Sequence, residues 1–353
     1  MSGSVPYEVD NVTSDPDRYF QLTSPGSQEW WYFDALSEDG RDGLAIVWYA
    51  GLPFDPAYGV AALHHLRHPE RCPAPDPLDH CAINVGVYRD GKLAAYALNA
   101  HRAGSFAHQA DPFKVCVATS VLARDESGYR LRVDTPEVDG RSRIELDLHF
   151  KPTSGTRPFE LDLGSPGSNH YWIAAAPDCT VSGRVARSGS AGFEIEYRGR
   201  GYHDHNAGSE EISRAIRRWT WGRFHTGETT AIYYIAEPMQ GEKSSLGLVC
   251  RDGRVVERAD NLAFEEAEPR RTIFGLRYAG EMRWKVGDHA FRMRPRHLVD
   301  SGPFYLRWIA DFEMERGGRA VSTRGFAELL DTRHLNRPYI NWMIPYRLKR
   351  PEE

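Results

Sequence analysis

Cysteine is scarce in this chain and poorly placed for structural work. Its five cysteines, Cys72, Cys81, Cys116, Cys179 and Cys250, are odd in number and widely spaced, with no C-x-x-C pair. Neither a disulfide framework nor a cysteine-rich zinc module is expected, and a reducing compartment is. Long apolar runs are also missing, so no membrane-spanning helix is predicted. The start, MSGSVPYEVDNVTSDPDRYF, is polar and acidic, without the basic residues and apolar stretch of a secretory signal. These absences predict a soluble, cytoplasmic protein. Charge of one sign is lacking too: 44 Lys and Arg stand against 49 Asp and Glu, a net of −5. No broad attraction to nucleic acid or anionic lipid follows, which leaves room only for a local basic patch, and no nucleic-acid partner is expected. There is no G-x-S-x-G elbow for a serine hydrolase. No phosphate-cradling G-x-x-x-x-G-K or G-x-G-x-x-G follows a strand-like run, which argues against nucleotide chemistry.

Helical periodicity is almost absent as well. SEEISRAIRRW, with Ser209 as N-cap and acids in its first turn, is the best helix candidate. Period-two alternation recurs instead in GLAIVWYAG, CAINVGVYRDGKLAAYAL, RIELDLHF, FEIEYRGRGY, TAIYYIAEP, LGLVCRDGRVVERA, GEMRWKVGDHAFRM and RGFAELLD. Asp90-Gly91 and Asp252-Gly253 are hairpin turns in the making. The expected fold is all-β, built from barrels or sandwiches with few short helices. Aromatic residues make up 12% of the chain, including nine Trp and seventeen Tyr, enough to line a large apolar cavity.

An internal echo suggests two related halves. EWWYFDALSEDGRDGLAIVWYAG starts with Trp30 and Trp31 and reaches a strand after a glycine turn. RWTWGRFHTGETTAIYYIAEP starts with Trp219 and Trp221 and does the same. ARSGSAG before Phe193 suits a joint, so the expected division is residues 1–190 and 191–353.

GYHDHNAG (residues 201–208) is the densest chemical cluster. Were the preceding strand to continue, Tyr202, Asp204 and Asn206 would point to one face, and His203 and His205 to the other. Three readings stay open: proton transfer through Asp204; an H-x-H metal pair completed by His64, His65, His68 or His225; and a hydrogen-bonded turn. SNHYWIA puts His170 and Trp172 on one strand face, which alone is equally compatible with ordinary packing. LHHLRH (63–68) and NAHRAGSFAHQ (99–109) read as solvated loops.

Taken in order, EWWYFDA, DHCAINVGVY, NHYW, GYHDHNAG, RRWTWGRFH, SGPFYLRW and WMIPYRL resemble the carotenoid 1,2-hydratases, also called hydroxyneurosporene synthases, within the lipocalin-like proteins. The resemblance runs nearly end to end. It implies two lipocalin-like β halves and cofactor-independent addition of water to the terminal double bond of an acyclic carotenoid. It also implies a His-x-Trp and Tyr-x-Asp active centre at His170, Trp172, Tyr202 and Asp204, with the aspartate as proton donor. Trp31, Trp219, Trp221 and Asn206 are the candidate substrate contacts. The chain departs from the pattern twice: His203 stands where a large apolar or aromatic residue is usual, and SEEISRAIRRW after Gly208 is partly basic where acidic residues are usual.

The chemistry is coherent with these residues. Protonating a trisubstituted alkene leaves a tertiary carbocation that water captures, and an aspartic acid can do this only when burial keeps it protonated. Aromatic faces would stabilise the cation. His170 would orient Asp204 or hold the water. A polyene substrate implies transient contact with a membrane and a place at the inner membrane's periphery. Two alternatives share the fold: a cyclase or pericyclase acting on a polyene without water, and a non-catalytic lipid carrier.

Overall fold

A computed structural model describes residues 15–162, 170–189 and 191–351. The chain's first fourteen residues, Ser168 and Asn169 of SNHYWIA, and Ser190 of ARSGSAG lie outside the described residues.

The alternating runs form two antiparallel sheets. The first contains β1 (Gln28–Ser37), β2 (Asp42–Ala50), β3 (Cys81–Arg89), β4 (Lys92–His101), β5 (Phe106–Gln109), β6 (Lys114–Val117), β7 (Ser120–Asp125), β8 (Gly128–Pro136), β9 (Arg143–Pro152), β10 (Phe159–Asp162), β11 (His170–Arg187) and β12 (Phe193–Gly208). The second contains β13 (Ile216–Thr226), β14 (Thr229–Pro238), β15 (Ser244–Arg251), β16 (Arg254–Asp260), β17 (Glu265–Arg271), β18 (Arg277–Val286), β19 (His289–Ser301), β20 (Tyr305–Arg316) and β21 (Arg319–Asp331). The fold is all-β, as expected, with two β halves.

Both sheets follow one path. The first runs β4-β3-β2-β1-β12-β11-β9-β8 and onward, the second β16-β15-β14-β13-β21-β20-β19-β18-β17. In each, a four-strand meander pairs through its first strand with the last strand of its own unit. The echo noted in the sequence marks these equivalent first strands, β1 and β13. The passage between sheets lies in residues 209–215, because Phe193–Gly208 pairs with β1 and β11 of the first sheet.

Each sheet wraps a core of its own, and a third apolar cluster fills the space between them. Alternation sorts the side chains. On β1, Trp31, Phe33 and Ala35 enter the first sheet's interior, while Trp30, Tyr32 and Leu36 face the second sheet. On β13, Trp219 and Trp221 face the first sheet and Phe224 the second sheet's own core. The central strands are therefore buried on both faces, where simple alternation predicts one wet face.

Both Asp-Gly turns form as expected: Asp90 and Gly91 sit at φ 48° and 74°, Asp252 and Gly253 at 51° and 68°. Positive φ at both central positions matches the twist of the flanking strands, and glycine adopts it without strain.

Three sequence expectations are corrected. NAHRAGSFAHQ, read as a solvated loop, holds the end of β4 and all of β5, with Asn99 and His101 buried. The helix sought in SEEISRAIRRW shrinks to the single turn α2 (Ile212–Ala215), whose preceding residue is Glu211 rather than Ser209, because Trp219 and Trp221 draw the rest into β13. The principal helix, α1 (Pro56–Arg67), lies elsewhere and takes in LHHLRH, read as a loop. Its start was legible: Asp55 accepts from the Ala57 N–H and Pro56 occupies the first turn. No helix among the described residues is long and apolar enough to cross a membrane.

The other face of β12 carries His203 and His205 into the first sheet's interior, where residues 16–20 close over them. His203 reaches the Tyr32 carbonyl at 2.9 Å and Asp17 at 2.8 Å; His205 reaches the Pro16 carbonyl at 3.0 Å and Glu29 at 2.8 Å. Their rings stack on Phe33 and Trp31. All four ring nitrogens are thus engaged by oxygen, which leaves none for the metal reading. Asp17 is wholly buried and also accepts from Tyr129 and Arg124. Burial pushes its carboxyl up, but the His203 hydrogen bond and charge, with Arg124 and His205, hold it below its ordinary value. Asp17→Asn should therefore cost about 3 kcal/mol in denaturant unfolding, as for a broken buried pair. A depressed carboxyl stabilises fully above the unfolded value of about 3.9 and loses this on acidification, so the difference between wild type and variant should shrink near pH ~3.

Candidate active site

The junction face of β12 presents Tyr202, Asp204 and Asn206. Asp204 is 6% exposed. Its Oδ2 accepts from the Trp172 indole N–H at 3.0 Å and from the Tyr202 hydroxyl at 3.0 Å, and its Oδ1 accepts from the Asn206 amide at 2.8 Å. Trp172 arrives from β11, opposite Asn206 in register. Burial pushes the Asp204 carboxyl up to about 8; the Trp172 and Tyr202 hydrogen bonds pull it down, and nearby Glu328 and Asp34 raise it further. Desolvation wins, so this aspartic acid carries its proton at neutral pH. Oδ1 meets one donor where Oδ2 meets two, which leaves Oδ1 the oxygen less committed to accepting.

A second polar chain spans the junction beside it. Asp34 on β1 pairs with Arg223 on β13, and both are fully buried. The Tyr32 hydroxyl lies 2.9 Å from Asp34 and 3.0 Å from Glu328 on β21. The Arg307 guanidinium donates to Glu328 at 2.7 Å and to the Tyr88 hydroxyl at 2.8 Å.

Between the sheets lies a cavity of ≈ 110 Å³, walled by Trp30, Tyr49, Trp219 and Phe304 on its apolar side and by Tyr32 and Glu328 on its polar side. Asp204 is not itself on this wall. Its cross-strand partner Tyr32 is. The Tyr305 hydroxyl, also on the wall, has no hydrogen-bond partner among the described residues.

The structure gathers Trp172, Tyr202, Asn206 and Asp204, but it separates His170 from them. His170 pairs in register with Gly208, and its buried ring lies 5.7 Å from Trp30 and 6.4 Å from Trp219. Burial pushes it down to about 4, and neither nitrogen has a partner among the described residues. It does not orient Asp204. Gly208 permits this packing, since a Cβ there would meet the Gln28 side-chain amide at 2.2 Å and His170 Nδ1 at 3.1 Å.

Of the four candidate substrate contacts, Trp219 lines the cavity. Trp221 packs on Tyr202 at 5.2 Å and on Tyr32 at 5.8 Å. Asn206 bonds to Asp204. Trp31 is corrected: it lies on the opposite face of β1, stacked on His205, and Trp30 takes the cavity position. Sequence reasoning missed Tyr32, Asp34, Arg223, Arg307 and Glu328. A signal for three of them was present in the echo. Matching Trp30 to Trp219 matches Tyr32 to Trp221 and Asp34 to Arg223, and these positions meet across the junction.

Fold and site together define an all-β, lipocalin-like protein with a buried carboxylic acid beside an aromatic cavity between two sheets. The chain belongs to the carotenoid hydratase family: the family model for carotenoid hydratase CrtC matches residues 49–353. It is 30% identical over 346 residues to the acyclic carotenoid 1,2-hydratase of Thiocapsa roseopersicina, covering 96% of this chain and 77% of that protein. It is 27% identical over 340 residues to the hydroxyneurosporene dehydrogenase of Chlorobaculum tepidum, covering 91% and 87%. Among solved structures, CghA with Sch210972 aligns at TM-score 0.62 and 14% identity, covering 93% of this chain and 94% of that one. Kievitone hydratase from Nectria haematococca aligns at 0.52 and 10%, covering 93% and 97%. At such identities these two structures speak to the fold alone.

Proposed function

We propose that the protein is a cofactor-independent hydro-lyase that adds water across the terminal double bond of an acyclic carotenoid, giving a tertiary alcohol. The observation that carries this reading is Asp204, a carboxylic acid kept protonated by burial beside an aromatic cavity. Family membership supplies the substrate class.

In this reading Asp204 Oδ1 gives its proton to the less substituted alkene carbon, and the positive charge falls on the tertiary carbon. Trp30, Tyr49 and Trp219 offer π faces to that cation, at about 1–2 kcal/mol for each well-placed ring. Water then adds to the cation. The proton it sheds returns to the Asp204 carboxylate, so the acid is regenerated and the sum is alkene plus water. Trp172, Tyr202 and Asn206 are positioning residues that fix which oxygen carries the proton. His170, its ring near Trp30 and Trp219, holds the water. Tyr32, paired with Asp204 in register, lines the cavity and is held by its bonds to Asp34 and Glu328. A long polyene resides in bilayers, so a transient membrane contact belongs to the proposal, as does a reading of the chain as two β units with the hand-over after β12.

A proton donor must be protonated to act. Activity should hold below pH ~7 and fall as the pH rises through about 8, the value to which burial pushes Asp204. A kcat/KM profile in detergent-dispersed lycopene or neurosporene measures this. A rate that climbs through that range would remove Asp204 from the role.

A further inference from the structure

The segment that follows β21 has two sides. Ile340 and Ile344 are buried in the cluster between the sheets and Met343 packs against it, whereas Tyr339, Trp342 and Tyr346 are 58%, 62% and 71% exposed. These are three large hydrophobic side chains within eight residues. Trp342 and Tyr346 stand edge to face with centroids 6.2 Å apart, and the Trp342 indole donates to the Tyr339 carbonyl, so the rings are held outward rather than tucked away. The core needs none of them.

Charge follows the same segment. Residues 332–351 contain Arg333, Arg337, Arg347, Lys349 and Arg350 and no Asp or Glu, ahead of the terminal Glu352 and Glu353, in a chain whose net charge is −5. Arg333, Arg347 and Arg350 are met by Asp331, Asp300 and Asp55. Arg337 and Lys349 donate to the backbone carbonyls of Arg333 and Pro345, and neither has a carboxylate partner among the described residues. Exposed Trp and Tyr with unneutralised cations is the composition that settles at the headgroup level of anionic bilayers.

The segment also borders the cavity. Ile344 and Arg347 line it, and they alternate in sequence with the exposed Trp342 and Tyr346. We propose that residues 337–349 dock the protein on an anionic lipid surface, so that the cavity is approached from the bilayer. The passage of a polyene end along this route rests on the hydratase reading; the docking does not. The occupant is lipid rather than a protein partner because the patch joins interfacial aromatics to cations with no carboxylate partner among the described residues.

The test is co-sedimentation of the full chain with vesicles of phosphatidylcholine alone and with added phosphatidylglycerol, together with turnover on substrate supplied in detergent or in vesicles. Wild type should bind the anionic vesicles and be released by salt. Trp342→Ala/Tyr346→Ala and Arg337→Gln/Lys349→Gln should each bind about tenfold more weakly or worse. Both variants should unfold at the wild-type temperature, keep turnover in detergent and lose it with vesicle-borne substrate. Wild type that ignores anionic vesicles, or variants that bind as it does, would overturn the docking proposal and leave the patch to a protein partner. Vesicle binding that depends on the patch, without turnover in either format, would uphold the docking and sink the hydratase reading.

Discussion

Asp204→Asn should lower kcat by about 10²–10⁴-fold, the range for a lost general acid, while affinity for an acyclic polyene changes little. The amide is the same size and can still accept from Trp172 and Tyr202, but it has no acidic proton to deliver. A lipid carrier would show neither activity nor a change on substitution. Stability should move the other way. Because burial raises the Asp204 carboxyl to about 8 in the folded protein, the native state is favoured fully only below the unfolded value of about 3.9. That support is lost progressively, at about 1.4 kcal/mol per pH unit, as the pH climbs toward 8. The asparagine variant lacks this dependence, so its advantage in unfolding temperature over wild type should grow from pH 5 to pH 8. A variant that is inactive yet more stable separates loss of chemistry from loss of fold.

Arg223→Met should be the most damaging substitution for the junction. Arg223 and Asp34 are both fully buried and join the equivalent strands β1 and β13. Burial pushes the Asp34 carboxyl up, and the Arg223 charge and hydrogen bond oppose that rise. Removing the guanidinium strands a carboxylate between two sheets, at an expected cost of about 3–5 kcal/mol. Replacing both partners, as Asp34→Asn with Arg223→Met, should recover much of the loss, since an uncharged pair needs no counter-charge. Denaturant unfolding of the two single variants and the double variant reads the coupling directly. Additive losses would mean that the pair is not the strut between the sheets.

Much of this architecture was legible because it rests on local rules. Period-two runs and Asp-Gly turns marked the strands and two hairpins, and the alternation of GYHDHNAG separated Asp204 from His203 and His205. What stayed hidden depends on burial of both faces. With each central strand packed on two sides, hydrophobicity could not tell Trp30 from Trp31, and the wrong tryptophan was placed in the cavity. His170 sits two residues from Trp172 and so shares its face, but the register with Gly208 carries it past Asp204, a displacement that spacing does not encode. The Tyr32, Glu328 and Arg307 group brings together residues nearly three hundred positions apart in sequence, which only the meeting of the two sheets allows. The α1 helix was missed for a simpler reason: its Asp-Pro start was written in the chain, but its weak amphipathic period was not.

In the proposed reaction Asp204 protonates an isoprenoid double bond and water captures the resulting cation. Mass spectrometry of the product formed from neurosporene or lycopene in isotopically labelled water, with no cofactor added, tests it most directly. The expected product is heavier by one water, carries the labelled oxygen as a tertiary alcohol and is absent with Asp204→Asn. A product of unchanged mass would show a cyclase or isomerase instead, and a hydrated product that persists in the Asp204→Asn variant would show that another group supplies the proton.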